Sequence, residues 1–167
     1  TVLRKDVNED GLPQILGWIK DQDLGVRFIE WMQTGDNLEY FRKHHLSAET
    51  VKKKLIEFGF VASERKKNDG PAQEFEHPKY KGKIGIIAPY SKDFCKTCNR
   101  LRVTSKGDLR LCLFGDGGYP LRPFLNSDDQ ITELQNKVMK LLHFKHETHY
   151  LDRGFTGITQ NLASLGG

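Results

Sequence analysis

Three cysteines carry the most chemistry in this sequence. Cys95 and Cys98 are separated by two residues, and Cys112 follows fourteen positions after Cys98. A two-residue gap lets both sulfurs turn to one metal centre, which is why iron–sulfur and zinc sites reuse it. Between the cysteines, Arg-Leu-Arg-Val-Thr and Leu-Arg-Leu-Cys-Leu-Phe alternate in polarity around Ser105-Lys-Gly-Asp108. That pattern predicts a β-hairpin, and folding at its turn brings Cys112 back toward Cys98. Three thiolates suit a cubane cluster with one open iron. A structural zinc site needs a fourth ligand, which His77, His143, His146 or His149 would have to supply, none at ribbon-like spacing from Cys112. The plainest alternative, three unrelated buried thiols, leaves their gathering around one turn unexplained.

The same hairpin carries Arg100 and Arg102, which a strand points to one face while Leu101 and Val103 point to the other. Two guanidiniums side by side make a fork for phosphate; an ordinary exposed strand face is the other reading. Residues 79–110 hold nine bases against two acids, a local charge of +7 in a chain whose total is +4. Around grouped cysteines such a cluster favours an anionic ligand.

Other elements must position this hairpin. Leu12, Ile15, Leu16 and Ile19 follow helical spacing, which predicts a helix over 9–22. Residues 26–31 are short, β-branched and aromatic and predict a strand. A strand end, a helix and a strand in this order make a βαβ unit of a parallel sheet. A second helix begins at Ser47, with Leu46 and Val51 as its staple, and ends at Gly59. Residues 63–72 are a polar loop, and short strands follow near 73–77, 83–88, 100–104 and 109–114. A third helix starts at Ser127, where Ser127 and Gln130 form a capping box and Ile131, Leu134, Val138 and Leu141 form the apolar stripe. The tail over 154–167 is rich in Gly, Thr, Asn and Ser and reads as extended or mobile.

A chain of 167 residues can bury a core. Its longest apolar run, 84–88, is strand-sized and excludes a spanning helix. The odd cysteine count argues against a disulfide framework and for a reducing, cytoplasmic setting. The chain starts at Thr1, without methionine, and reads as cut from something longer.

Phe94-Cys95-Lys-Thr-Cys98-Asn-Arg100-Leu101-Arg102-Val-Thr followed by Gly107-Asp-Leu-Arg-Leu-Cys112-Leu-Phe resembles the C-terminal cluster motif of the molybdenum-cofactor biosynthesis protein A family, radical S-adenosylmethionine enzymes that act as GTP 3′,8-cyclases. Asn8, the stretch Val26-Arg-Phe-Ile-Glu-Trp-Met32, Gly70-Pro-Ala72, Gly82-Lys-Ile-Gly85, Thr156-Gly157 and Gly166-Gly167 match the family in the same order. The family's first half carries a CxxxCxxC motif that is absent from these 167 residues.

The resemblance implies an α/β to α+β fold. Residues 1–62 would be the end of an incomplete, TIM-type radical barrel, 63–153 a small antiparallel cluster-binding domain, and 154–167 an extended tail. Cys95, Cys98 and Cys112 would ligate a second [4Fe-4S] cluster whose open iron touches the guanine of GTP. Arg100, Leu101 and Arg102 would bind GTP, with Arg27 facing it; Met32 would contact S-adenosylmethionine; Gly166 and Gly167 would enter the active site. The mechanism the resemblance implies for the whole enzyme is that a 5′-deoxyadenosyl radical takes the ribose 3′ hydrogen of GTP and the 3′ carbon then attacks guanine C8. The implied partners are GTP, the missing N-terminal half and a second copy in a homodimer through a raw sheet edge, with a membrane excluded and nucleic acid disfavoured. This half alone would be inactive. The alternative from the residues alone is a zinc-stabilised nucleotide- or nucleic-acid-binding module.

Overall fold

The computed structural model describes residues 1–159 apart from Asp36, Lys67, Asn68, Asp93 and Thr97. Leu12, Leu16 and Ile19 recur at helical spacing, and Pro13 sits in the first turn, where its missing N–H costs nothing. They form α1, Leu12–Ile19, entered through a 3₁₀ turn at Glu9–Gly11. The helix stops short of the predicted end because Gly82 N and Lys81 N take the carbonyls of Ile19 and Lys20.

The strand β1, Gly25–Ile29, follows. On one side Thr1 N donates to Arg27 O (2.8 Å) and Ile29 N donates to Thr1 O (2.9 Å), the pattern of parallel pairing opposite Phe28. The expected helix and following strand are formed, but the segment before α1 is no strand: only Thr1 pairs with β1. β2, Val61–Ala62, β3, Gln73–Glu76, and β4, Lys83–Ile87, complete a mixed sheet in the order β1-β4-β3-β2. β4 is parallel to β1, with Val26 opposite Ile84 and Phe28 opposite Ile86, while β2–β3 and β3–β4 are antiparallel.

Two further helices join this sheet's unit. α2, Leu38–His44, is not signalled by any apolar stripe. α3, Ala48–Glu57, starts where predicted: the Ser47 hydroxyl accepts from Glu49 N at 3.1 Å, a cap that contributes about 1 kcal/mol. It ends in a Schellman motif, with Phe60 N donating to Leu55 O and Gly59 N to Ile56 O around a left-handed Gly59. The core buries Leu12, Leu16 and Ile19 of α1, Phe28 of β1, Val51 and Leu55 of α3, and Ile84 and Ile86 of β4.

A second, antiparallel sheet has the order β5-β6-β7, from Arg102–Val103, Asp108–Arg110 and Tyr119–Pro120. α4, Ile131–Leu142, packs Leu134, Val138 and Leu141 against Leu109, Leu111 and Leu121. Ile131 drops out of the predicted stripe: it is 59% exposed, because it sits in the first turn, before the helix reaches those leucines. The capping box also differs. The Ser127 side chain caps nothing, and the Gln130 amide accepts from Asn126 N and donates to Pro123 O instead.

By contacts the chain divides into Thr1–Met32 with Glu39–Phe94, and Gln33–Leu38 with residues from Cys95 onward. Residues 63–94, grouped by their texture with the cysteine segment, belong to the first unit, because β3 and β4 complete its sheet. Among the described residues no helix is long and apolar enough to cross a membrane.

Candidate functional site

The turn between β5 and β6 is closed by Gly107 N to Thr104 O and Thr104 N to Asp108 O, both 2.9 Å, with Gly107 left-handed. The ladder sets Arg102 opposite Arg110 and Val103 opposite Leu109. Exposure alternates along the first arm: Arg100 and Arg102 are half-buried, whereas Leu101 and Val103 are 37% and 57% exposed. The arginines thus hold the inner face and the apolar residues the outer one.

The three cysteines are free and half-buried. Cys95 lies within electrostatic range of both Cys98 and Cys112, and Arg102 within range of Cys98 and Cys112. Burial pushes the Cys95 thiol up, opposed by hydrogen bonds from the His149 backbone and the Thr148 side chain. Burial also pushes on Cys98, but the Arg100 backbone N–H, its guanidinium and the Lys145 charge prevail and hold that thiol below its ordinary value. Burial, then repulsion from Arg100, lowers the proton affinity of Arg102. A lower thiol pKa means more thiolate at a given pH. In metal-free protein, iodoacetamide is therefore expected to modify Cys98 before Cys95 as pH is raised. Peptide mass spectrometry reads the order, and the reverse order would contradict this electrostatic picture.

The flanks of Cys112 are held by side chains. Lys145 Nζ donates to Leu111 O at 2.5 Å and to Arg100 O at 2.9 Å. Thr159, only 2% exposed, donates its hydroxyl to Leu113 O at 2.6 Å and accepts from Arg110 Nη1 at 3.4 Å. Gly157 is left-handed, and a Cβ there would collide with the Phe114 carbonyl. The tail is therefore anchored as far as Thr159, in contrast to the mobility its composition suggests. Its buried hydroxyl and its glycine contact leave no apolar pattern to read. Gly166 and Gly167 lie outside the described residues. Cys112 also lines a cavity of about 440 Å³ with Phe114, His149, Tyr150 and Phe155.

Arg27 and Met32 belong to the first unit. Met32 lies just beyond β1 and is half-buried. Arg27 extends from β1 over Gly85, where a Cβ would come within 3.0 Å of its Cγ. Its guanidinium meets Glu74 at 3.6 Å and borders a cavity of about 510 Å³ shared with Arg65 and Gly70-Pro71-Ala72. His77 is also in this unit, packed between Phe60 and Tyr80.

Among the described residues no group of three His, Cys, Asp or Glu side chains is arranged to hold a single metal ion. The donor chemistry nonetheless fits an iron–sulfur cluster. Three free thiols share one charged neighbourhood, N–H groups of Arg100 and His149 point at two of the sulfurs, and cations stand beside them. Such hydrogen bonds and charges are what tune thiolate-bound clusters.

Residues 24–151 match the family model for molybdenum cofactor synthesis C. The chain is 52% identical over 166 residues to a GTP 3′,8-cyclase of Stenotrophomonas maltophilia, covering 99% of this chain and 51% of that protein. It is 50% identical over 167 residues to a GTP 3′,8-cyclase of Klebsiella pneumoniae, covering 100% of this chain and 51% of the relative. The chain thus spans about half the length of the curated relatives it matches. A hairpin bearing three gathered thiols and an inner arginine face, within a matched segment of this extent, places the chain in the molybdenum cofactor synthesis C family.

Proposed function

We propose that these residues form the C-terminal half of a radical S-adenosylmethionine GTP 3′,8-cyclase acting in molybdenum cofactor biosynthesis. The observation that carries this reading is the meeting of Cys95, Cys98 and Cys112 with Arg100 and Arg102 on one hairpin. Cys95, Cys98 and Cys112 hold a [4Fe-4S] cluster, and Arg100 and Arg102 take the triphosphate with Leu101 between them. Arg27 faces the nucleotide, Met32 touches S-adenosylmethionine, and Gly166-Gly167 enter the active site. The parallel pair β1–β4 is the end of a partial barrel begun in an N-terminal half that carries the CxxxCxxC motif, and without that half the chain is inactive.

When bound, the cluster supplies an open iron for the purine, and S-adenosylmethionine supplies the radical that takes the ribose 3′ hydrogen. The chain's own residues do the positioning. The arginine face fixes the phosphates by charge-assisted forks, so both ends of the nucleotide are held and the reacting carbons need little further ordering. Half-burial of the two arginines strengthens this by reducing the screening of their charge.

The test is anaerobic metal analysis of the full-length protein with its upstream cluster cysteines replaced by alanine. Iron and sulfide should persist; stoichiometric zinc without either would overturn the reading in favour of a zinc-stabilised module. In the same protein Arg100→Met and Arg102→Met should each weaken GTP about tenfold or more, the worth of one charge-assisted hydrogen bond. Titration calorimetry measures it, and affinity indifferent to both arginines would remove them from the site.

A further inference from the structure

The ladder of the cysteine hairpin covers only Arg102 opposite Arg110 and Val103 opposite Leu109. The thiols lie beyond its end, where β5 and β6 have already left pairing. At that point a lysine from after α4 bridges the arms. Lys145 Nζ donates to Arg100 O, two residues from Cys98, and to Leu111 O, the neighbour of Cys112. Its side chain is half-buried, whereas Lys106 and Lys140 are exposed. An ammonium drawn partly out of water costs free energy unless its protons find acceptors, and here two carbonyls from different arms supply them. Its charge also stands within range of Cys98.

We propose that Lys145 is a positioning residue that clamps the two arms of the hairpin and so sets the spacing of Cys98 and Cys112. Thr159 adds a second hold, so that both carbonyls flanking Cys112 accept from side chains. Lysine suits this place because its three donors rotate on a flexible stem and can serve carbonyls in different planes. As a holder of the cluster the clamp rests on the proposed function; as a holder of the thiols it does not.

The experiment uses the full-length protein carrying Lys145→Met or Lys145→Arg. In the metal-free state the thiols are bridged with dibromobimane, and the Cys98–Cys112 and Cys95–Cys98 products are quantified by mass spectrometry. K145M should lower the ratio of Cys98–Cys112 to Cys95–Cys98 bridges several-fold, and K145R should restore part of it. A lysine that merely supports the fold would lower the melting temperature and leave that ratio alone. After anaerobic loading, K145M should lose iron to a chelator about tenfold faster and show an altered electron paramagnetic resonance spectrum. A K145M ratio and iron-loss rate equal to wild type would overturn the clamp. If K145M does not melt cooperatively, Lys145→Gln, which keeps a donor without the charge or reach, is read by the same criteria. Wild type that holds no iron or sulfide would defeat the proposed function, while the metal-free ratio would still decide the clamp.

Discussion

Cys112→Ser is expected to abolish product formation by the full-length protein while leaving this half folded. Serine nearly matches cysteine in volume, and Cys112 is half-buried beside a cavity instead of wedged in the leucine core. The backbone around it is fixed by Lys145 on Leu111 O and Thr159 on Leu113 O, neither of which involves the sulfur. Stability should therefore change by no more than about 1 kcal/mol. A hydroxyl is a poor substitute for a thiolate ligand. Replacing groups that only orient a metal ligand already costs 10–100-fold, so losing a ligand should cost more than about a hundredfold. Rate, iron content and thermal melting together check this. Activity within tenfold of wild type at full iron content would show that Cys112 is not a ligand.

Gly157→Val should produce the largest loss of stability. Gly157 has φ +58°, and a Cβ there would run into the Phe114 carbonyl and come within 2.8 Å of Gly115 O. Both neighbours are backbone and cannot step aside as a side-chain end could. A β-branched residue at positive φ adds its own strain. Strain and overpacking each cost about 1–3 kcal/mol, so the variant should lose roughly 2–5 kcal/mol in denaturant titrations. Relief would come by lifting the tail, which unhooks the Thr159 hydroxyl from Leu113 O and should open the tail to limited proteolysis. A variant with wild-type stability and protease resistance would mean that Gly157 does not pack on Phe114.

The hairpin was legible because it is local. Alternation on both arms and a Ser-Lys-Gly-Asp turn lie within a few residues of one another, and Gly107 takes the left-handed turn position. α3 was legible for the same reason, with Ser47 at one end and Gly59 at the other. What sequence texture could not show is pairing at a distance. β1 and β4 are parallel neighbours although a helix pair and two strands intervene, so residues 63–94 read as part of the segment they precede. α2 has no apolar repeat to announce it; its rings of Tyr40 and Phe41 instead pack on Trp31. The holding residues of the site were missed because their roles are polar. A lysine reads as solvated and a threonine in a Gly-rich tail reads as loose, yet Lys145 and Thr159 grip the carbonyls on either side of Cys112.

The pairing of Arg102 with Arg110 has a thermodynamic consequence. Like charges directly opposite in an antiparallel ladder repel, and Arg100 adds a third guanidinium within range of Arg102. Gathering these guanidiniums on one hairpin therefore costs electrostatic work. Dissolved salt, which weakens attractive ion pairs, relieves this repulsion by screening it. A polyanion does the same more completely, since it neutralises several cations at once. On the proposed function, part of the driving force for capturing a triphosphate thus comes from the gathered guanidiniums. A neutral or singly charged competitor recovers little of it, so the proposed nucleotide site would discriminate among ligands by their charge.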